Sequence, residues 1–334
     1  MAKEASSRNV DVLTSIWQLV FKRPDIGADD NFFELGGDPR LAARLSCEIE
    51  SKLGCHVPPV AMYHTPTIAS LAACLETSEV AKIPALTKLR AGDSSTPLFI
   101  AHGVGGSILE FFELAKLIDS GRPVYGLQAK GSDGVSEPLN RFEDMADFHL
   151  EAIRKVQPHG PYFLAGHSLG GLVVLEIARR VQEGGEDPGV LVMIDAYPHL
   201  RHLSPNQQLR LIARMAARRV FGTKEQSLNP DRKHDQKLTE ELQLSANTKE
   251  AMRRVREGGY VALEKYRPRF YNGKINFVRA AVPSVFPDDP AAIWSGLATE
   301  FQLETVPGDH YEMLTEYPEH LATVLSRCAR EFDA

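Results

Sequence analysis

Residues 162–181 constrain the fold more than any other stretch of the chain. A short apolar run, Tyr162-Phe163-Leu164-Ala165, meets Gly166-His167-Ser168-Leu169-Gly170 and passes into a second apolar run from Leu172 to Val181. A strand-length run, a glycine-bounded turn and a helix-length run in that order describe a strand-to-helix turn with a serine at its tip. The glycines permit a sharp, crowded turn that projects the hydroxyl. The helix N-terminus behind it aims backbone N–H groups at negative charge developing there. A glycine-rich turn that merely joins strand to helix is the bland alternative, and the flanking pattern favours a nucleophile.

The rest of the chain beyond Pro97 repeats this alternation. Short apolar runs occur at Leu98-Phe99-Ile100, Val124 to Leu127, Val190 to Ile194, Ile275 to Val278 and Phe301 to Glu304, with helical patterns between them. Strands that alternate with helices predict a mostly parallel sheet covered on both faces, an α/β class. A helical stretch rich in Arg, Gln and Lys, about 197–271, reads as a lid inserted after a strand end. Its Arg210, Arg214, Arg218 and Arg219 either guide an acidic partner or line a solvated helical face.

Ahead of this region the period changes. Val12, Leu13, Ile16, Trp17 and Val20 recur at helical spacing, as do Leu41, Ala42, Leu45 and Ile49 between Pro39 and the stop at Gly54. A short segment near Val60 to Tyr63 and a capped helix starting at Thr65-Pro66-Thr67 complete a four-helix unit. The expected division is a small all-α domain over 1–77, a solvated linker over 78–96 and an α/β domain over 97–334.

With 43% hydrophobic and 25% charged residues, the 334-residue chain has material for a core. A net charge of −6 and the lack of a basic stripe argue against a nucleic-acid partner. No apolar run approaches the roughly 20 residues of a membrane span, and the polar start is unlike a signal peptide, which places the protein in the cytosol. Cys47, Cys55, Cys74 and Cys328 form no Cys-x-x-Cys pair, and His199 with His202 lacks a third metal ligand, so no metal is expected.

A serine hydroxyl needs a base to take its proton and an acid to orient that base. His310 is the best-placed base, on the loop Pro307-Gly308-Asp309-His310 after the last strand. The acid is either Asp195, ending the strand Val190 to Ile194, or the Asp288-Asp289 pair. Both preserve the chain order serine, aspartate, histidine. Asp195 is preferred because a strand end leaves its position little slack, whereas Asp288-Asp289 follows an irregular segment and would cap a helix. For an oxyanion, the donors expected are the backbone N–H of Leu169 and, from the loop His102-Gly103-Val104-Gly105-Gly106, that of Val104.

These motifs resemble the terminal thioesterases of nonribosomal peptide and polyketide synthetases, which implies an α/β-hydrolase fold and supports Asp195. The stretch Asp30-Asn31-Phe32-Phe33-Glu34-Leu35-Gly36-Gly37-Asp38 is similar to a peptidyl carrier domain. The resemblance implies an acyl or peptidyl chain delivered as a 4′-phosphopantetheine thioester, transferred to Ser168, and released to water or an internal nucleophile. It implies upstream synthetase domains and a phosphopantetheinyl transferase as partners. The family's arm-bearing serine follows Gly-Gly-Asp, however, and here that position is Pro39, which has no hydroxyl. Ser46, two helical turns on, is a poor substitute. Two further readings remain: a carboxylesterase-like hydrolase, and a non-catalytic docking module.

Overall fold

A computed structural model describes residues 2–77, 84–93, 96–221, 242–282, 287 and 289–333. The chain opens with helix α1 (Ala2–Phe21), then α2 (Pro39–Leu53), a 3₁₀ turn (Pro59–Tyr63) and α3 (Ile68–Glu76). Each boundary has a local cause. Asp38 accepts from the Leu41 N–H at 2.8 Å as the α2 cap, Pro39 occupies the first turn, and Gly54 ends the helix at φ 67°. Thr67 and Ser70 form a capping box for α3. The apolar faces meet in one core of Leu13, Ile16, Trp17, Phe32, Leu45, Ile49 and Leu71.

Among the described residues a seven-stranded sheet carries the rest: β1 (Leu86–Arg90), β2 (Leu98–Ala101), β3 (Val124–Leu127), β4 (Tyr162–His167), β5 (Gly189–Ile194), β6 (Tyr271–Ala280) and β7 (Ala298–Val306). Their order is β1-β3-β2-β4-β5-β6-β7, parallel except for β1 against β3. The parallel strands are short uninterrupted apolar runs because both faces are covered. Phe99, Leu164, Leu191 and Phe277 face one core with α5 (Phe142–Val156) and α6 (Leu169–Glu183). Ile100, Phe163, Val192 and Val278 face the other, with α4 (Phe112–Leu117) and the closing helix α11 (Pro318–Asp333). The α/β class expected from the alternation is what the structure has.

The strand β1 lies inside the stretch expected to be a solvated linker. Its sequence, Leu-Thr-Lys-Leu-Arg, is an antiparallel edge with one fully buried side chain, Thr87, and so shows no apolar run. The strand β6 is also longer than the apolar signal Ile275 to Val278: it starts at the buried Tyr271, but Asn272, Gly273 and Lys274 in between are exposed or partly exposed and break the apolar run.

The stretch 197–271 contains α7 (Pro205–Phe221) and α8 (Ala246–Lys265), joined through residues outside the described set. The side chains of Arg218 and Arg219 also lie outside it. Arg210 is exposed on α7. Two short helices, α9 (Ala291–Trp294) and α10 (Glu312–Thr315), flank β7.

The helical unit rests on the sheet domain. Ala43 is fully buried, packed with Leu109, Leu242, Leu244 and Met252. Further along the same face of α2, the Cys47 thiol donates to the Gln243 carbonyl at 3.1 Å, and Asn247 donates to Glu50 at 2.9 Å. Phe33 and Tyr63 pack on Phe112, while His64 and Thr87 share a 2.9 Å hydrogen bond.

Candidate active site

Ser168 caps α6 at φ 55°, ψ −121°, a backbone conformation an L-residue holds only when its surroundings impose it. The surroundings do. A Cβ at Gly166 would sit 2.2 Å from the Gly170 carbonyl oxygen, and one at Gly171 would sit 2.4 Å from Cβ of Ala196. A Cβ at Gly170 would lie 2.4 Å from the carbonyl oxygens of both Ala101 and His102. The glycines thus let strand, helix and the loop after β2 converge on one point, and the Ser168 N–H is held by the Ile194 carbonyl at 2.8 Å.

Asp195 follows β5 with φ 45°, in the left-handed region that aspartate tolerates better than most residues. Its Oδ2 lies 2.7 Å from Nδ1 of His310, and both side chains are buried. Its Oδ1 accepts from the Ala280 N–H at 3.3 Å and the Tyr197 hydroxyl at 3.2 Å. Burial pushes the Asp195 carboxyl pKa up; the hydrogen bond and charge of His310, with the Ala280 N–H, outweigh it and hold the pKa below the ordinary carboxylate value. Burial, and then the neighbouring Asp195 charge, raise the Tyr197 pKa, so this phenol stays a donor.

His310 sits on the loop between β7 and α10. Its carbonyl accepts from Nε2–H of His167 at 2.8 Å, and the two rings lie 4.5 Å apart. Burial, then the adjacent His310, lower the His167 pKa to about 4. This neutral imidazole braces the loop that bears His310. A histidine directly before the serine carries no periodicity signal for such a brace, so the sequence alone does not announce this role.

The other expected residues are also placed. Val104 and Leu169 border one small pocket, and both side chains lie against Gly259 in α8, where a Cβ would sit 2.9 Å from Leu169 and 3.4 Å from Val104. Asp289 is exposed, accepting from the Ala292 N–H at 3.0 Å at the start of α9, a helix-capping role; Asp288 lies outside the described residues. His199 accepts from the Arg201 N–H, and His202 hydrogen-bonds the Glu264 carbonyl. Among the described residues no group of three or more His, Cys, Asp or Glu is arranged to hold a metal ion, and no helix is long and apolar enough to cross a membrane.

Pro39 is half-buried at the start of α2, one turn before Ala43 and on its face. Ser46 is fully buried and its hydroxyl donates to the Val57 carbonyl. Neither offers an accessible hydroxyl for a phosphopantetheine arm, so these residues do not fit that group.

Two family models match the chain: "Thioesterase domain" over residues 96–331 and "Phosphopantetheine attachment site" over residues 11–75. A dimodular nonribosomal peptide synthase of Bacillus subtilis (strain 168) is 38% identical over 210 residues, 62% of this chain and 9% of the relative. An indigoidine synthase of Dickeya dadantii (strain 3937) is 34% identical over 172 residues, 52% of this chain and 12% of the relative. The chain therefore spans a small part of these relatives. Among solved structures, the four-domain nonribosomal peptide synthetase holo-AB3403 superposes over 98% of this chain and 26% of its own, with TM-score 0.61 and 23% identity. The NocB thioesterase domain, in covalent complex with a fluorophosphonate nocardicin G analogue, covers 70% of this chain and 95% of its own, with TM-score 0.55 and 20% identity. At these identities the likeness is one of fold.

Proposed function

Because the chain belongs to the thioesterase-domain family, with a carrier-type module ahead of that domain, we propose that it releases acyl or peptidyl chains from thioesters through an acyl-Ser168 intermediate. The observation that carries this reading is the buried 2.7 Å contact between Asp195 and His310, beside a serine fixed at positive φ. We draw the division between the two domains within 78–85, which assigns β1 to the hydrolase.

In this mechanism Ser168 Oγ attacks the thioester carbonyl while His310 Nε2 takes its proton. Asp195 holds the proton on Nδ1 and stabilises the imidazolium. The N–H groups of Leu169 and Val104 receive the oxyanion; each such donor is worth about 3 to 4 kcal/mol of barrier. The departing thiolate takes the proton from His310, leaving the acyl group on Ser168. Water or an internal nucleophile, deprotonated by His310, then attacks the ester carbonyl; the acyl–Oγ bond breaks, the Ser168 oxygen takes the proton back from His310, and the chain is released. The substrate belongs to the assembly-line class named by the relatives, and upstream synthetase domains are its suppliers. Since Pro39 cannot be loaded, the thioester reaches Ser168 from a donor other than this module, which we read as a docking element.

An active-site-directed fluorophosphonate followed by intact-mass measurement tests the proposal: one adduct on the wild-type chain and none on Ser168→Ala. Absence of a wild-type adduct would leave only the non-catalytic docking module. Equal turnover of acyl thioesters and simple oxygen esters would favour the carboxylesterase reading.

A further inference from the structure

The helices α6 and α8 touch at two points with matching spacing. Leu169 and Glu176 are seven residues apart on α6, as are Gly259 and Tyr266 on α8 and its cap. Seven residues are close to two turns, about 10.5 Å of helix, so each pair shares one face. At the first point Gly259 lies against the side chains of Leu169 and Val104, the two proposed oxyanion donors. At the second the Tyr266 hydroxyl donates to Oε2 of Glu176 at 3.0 Å. The two helices therefore run in the same direction, in register from the oxyanion donors to the root of the lid.

Glu176 is fully buried, and its carboxylate also accepts from Arg179 and Arg269, each at 3.1 Å. A carboxylate there is costly to desolvate, and a packed apolar side chain of similar volume would stabilise the fold as well or better. What the carboxylate adds is direction: a hydroxyl meets its oxygen at one position along α6, where apolar side chains could slide. The Tyr266 ring rests on Phe142 of α5, centroids 4.5 Å apart, so its hydroxyl has a fixed origin. Burial, then the Glu176 charge, raise the Tyr266 pKa, and the phenol keeps its proton. The chain leaving α8 is tied to α6 twice more, where Arg179 donates to the Phe270 carbonyl at 3.2 Å and Gln182 to the Asn272 carbonyl at 2.6 Å.

We propose that Glu176 is a positioning residue for the oxyanion donors: through Tyr266 it fixes the register of α8 along α6, and so seats Gly259 against Leu169 and Val104. The inference rests on the reading of Ser168 as the nucleophile and adds residues that no motif marks.

The test follows the rate at which a fluorophosphonate labels Ser168, read by intact mass, because that reaction needs the oxyanion donors but no particular acyl chain. A wild-type chain that is never labelled refutes the reading of Ser168 and the register with it. Differences among variants of a labelled chain bear on the register alone. Tyr266→Phe keeps the ring and removes the hydroxyl; its maximal labelling rate should fall about tenfold, less than the loss of a whole donor, with the half-saturating concentration within about twofold. Glu176→Leu should do the same, while Glu176→Gln, whose amide oxygen still accepts the hydroxyl, should keep at least about a third of the rate. Gly259→Ala puts a methyl 2.9 Å from Leu169 and should slow labelling by itself. Combined with Tyr266→Phe, the loss should fall short of the product of the two by about fivefold, because a released α8 can move off the methyl; sites without contact normally multiply to within about twofold. Should Glu176→Leu fail to fold, the variants at 259 and 266 decide. An unchanged rate in Tyr266→Phe, or losses that multiply, overturns the proposal.

Discussion

Replacing Asp195 with asparagine exchanges one carboxylate oxygen for an amide nitrogen, and the surrounding bonds determine which. The Ala280 N–H and the Tyr197 hydroxyl both donate to Oδ1, so the amide oxygen stays there and the NH₂ group faces Nδ1 of His310, 2.7 Å away in the native pair. Nδ1 must then act as an acceptor, which puts the imidazole proton on Nε2, where it blocks proton uptake from Ser168. Asparagine tolerates the positive φ of this position as aspartate does, so the fold should survive. The equivalent change in a serine–histidine–aspartate enzyme costs about 10⁴ in kcat, roughly 5 kcal/mol of barrier. Steady-state hydrolysis of an acyl-N-acetylcysteamine thioester should show a loss of that order, with intact mass and circular dichroism confirming the protein. Asp289→Asn, at the α9 cap, should leave kcat within about twofold. More than a tenth of wild-type kcat in Asp195→Asn would refute the tautomer argument.

Other expectations follow from the same contacts. Gly170→Ala forces a Cβ against two backbone carbonyls at 2.4 Å; we expect a loss of about 2 kcal/mol or more, read from the denaturant midpoint, together with reduced turnover. His167 stays neutral in the fold down to pH about 4, whereas the unfolded imidazole protonates near 6.5. Its contribution is therefore complete above pH about 6.5 and declines as pH falls toward 4, by up to ~3 kcal/mol. Urea midpoints across that window should fall less steeply in His167→Gln. Pro39→Ser should accept an arm from a phosphopantetheinyl transferase by intact mass, while the native chain gains none. Ala43→Glu places a charge in the contact with Leu242, Leu244 and Met252 but outside the helical core; Cys47 should then react several-fold faster with a thiol reagent.

Much of this architecture is legible in the sequence because burial leaves periodic traces. The helix Pro39–Leu53 and the strand Val124–Leu127 were readable to the residue, since a cap or an abrupt polarity change marks each end. The strand β1 left no trace because an antiparallel edge with exposed Lys88 needs no apolar run. Chain order could not separate Asp195 from Asp288-Asp289; proximity to His310 is a property of the folded sheet. Glu176 and Tyr266 lie 90 positions apart, and nothing in spacing announces that they meet.

The hydrogen bond between His64 and Thr87 and the short connection behind it have a polymer-physical consequence. From the end of α3 at Glu76 to the start of β1 at Leu86 the chain can stretch no further than about 35 Å. Released from its dock, the helical module remains leashed within that radius, a local concentration in the millimolar range. Its grip on the hydrolase can therefore be weak and still be occupied much of the time. On the proposed reading, a separate carrier bearing a loaded thioester would have to compete for that face with a rival held at this local concentration.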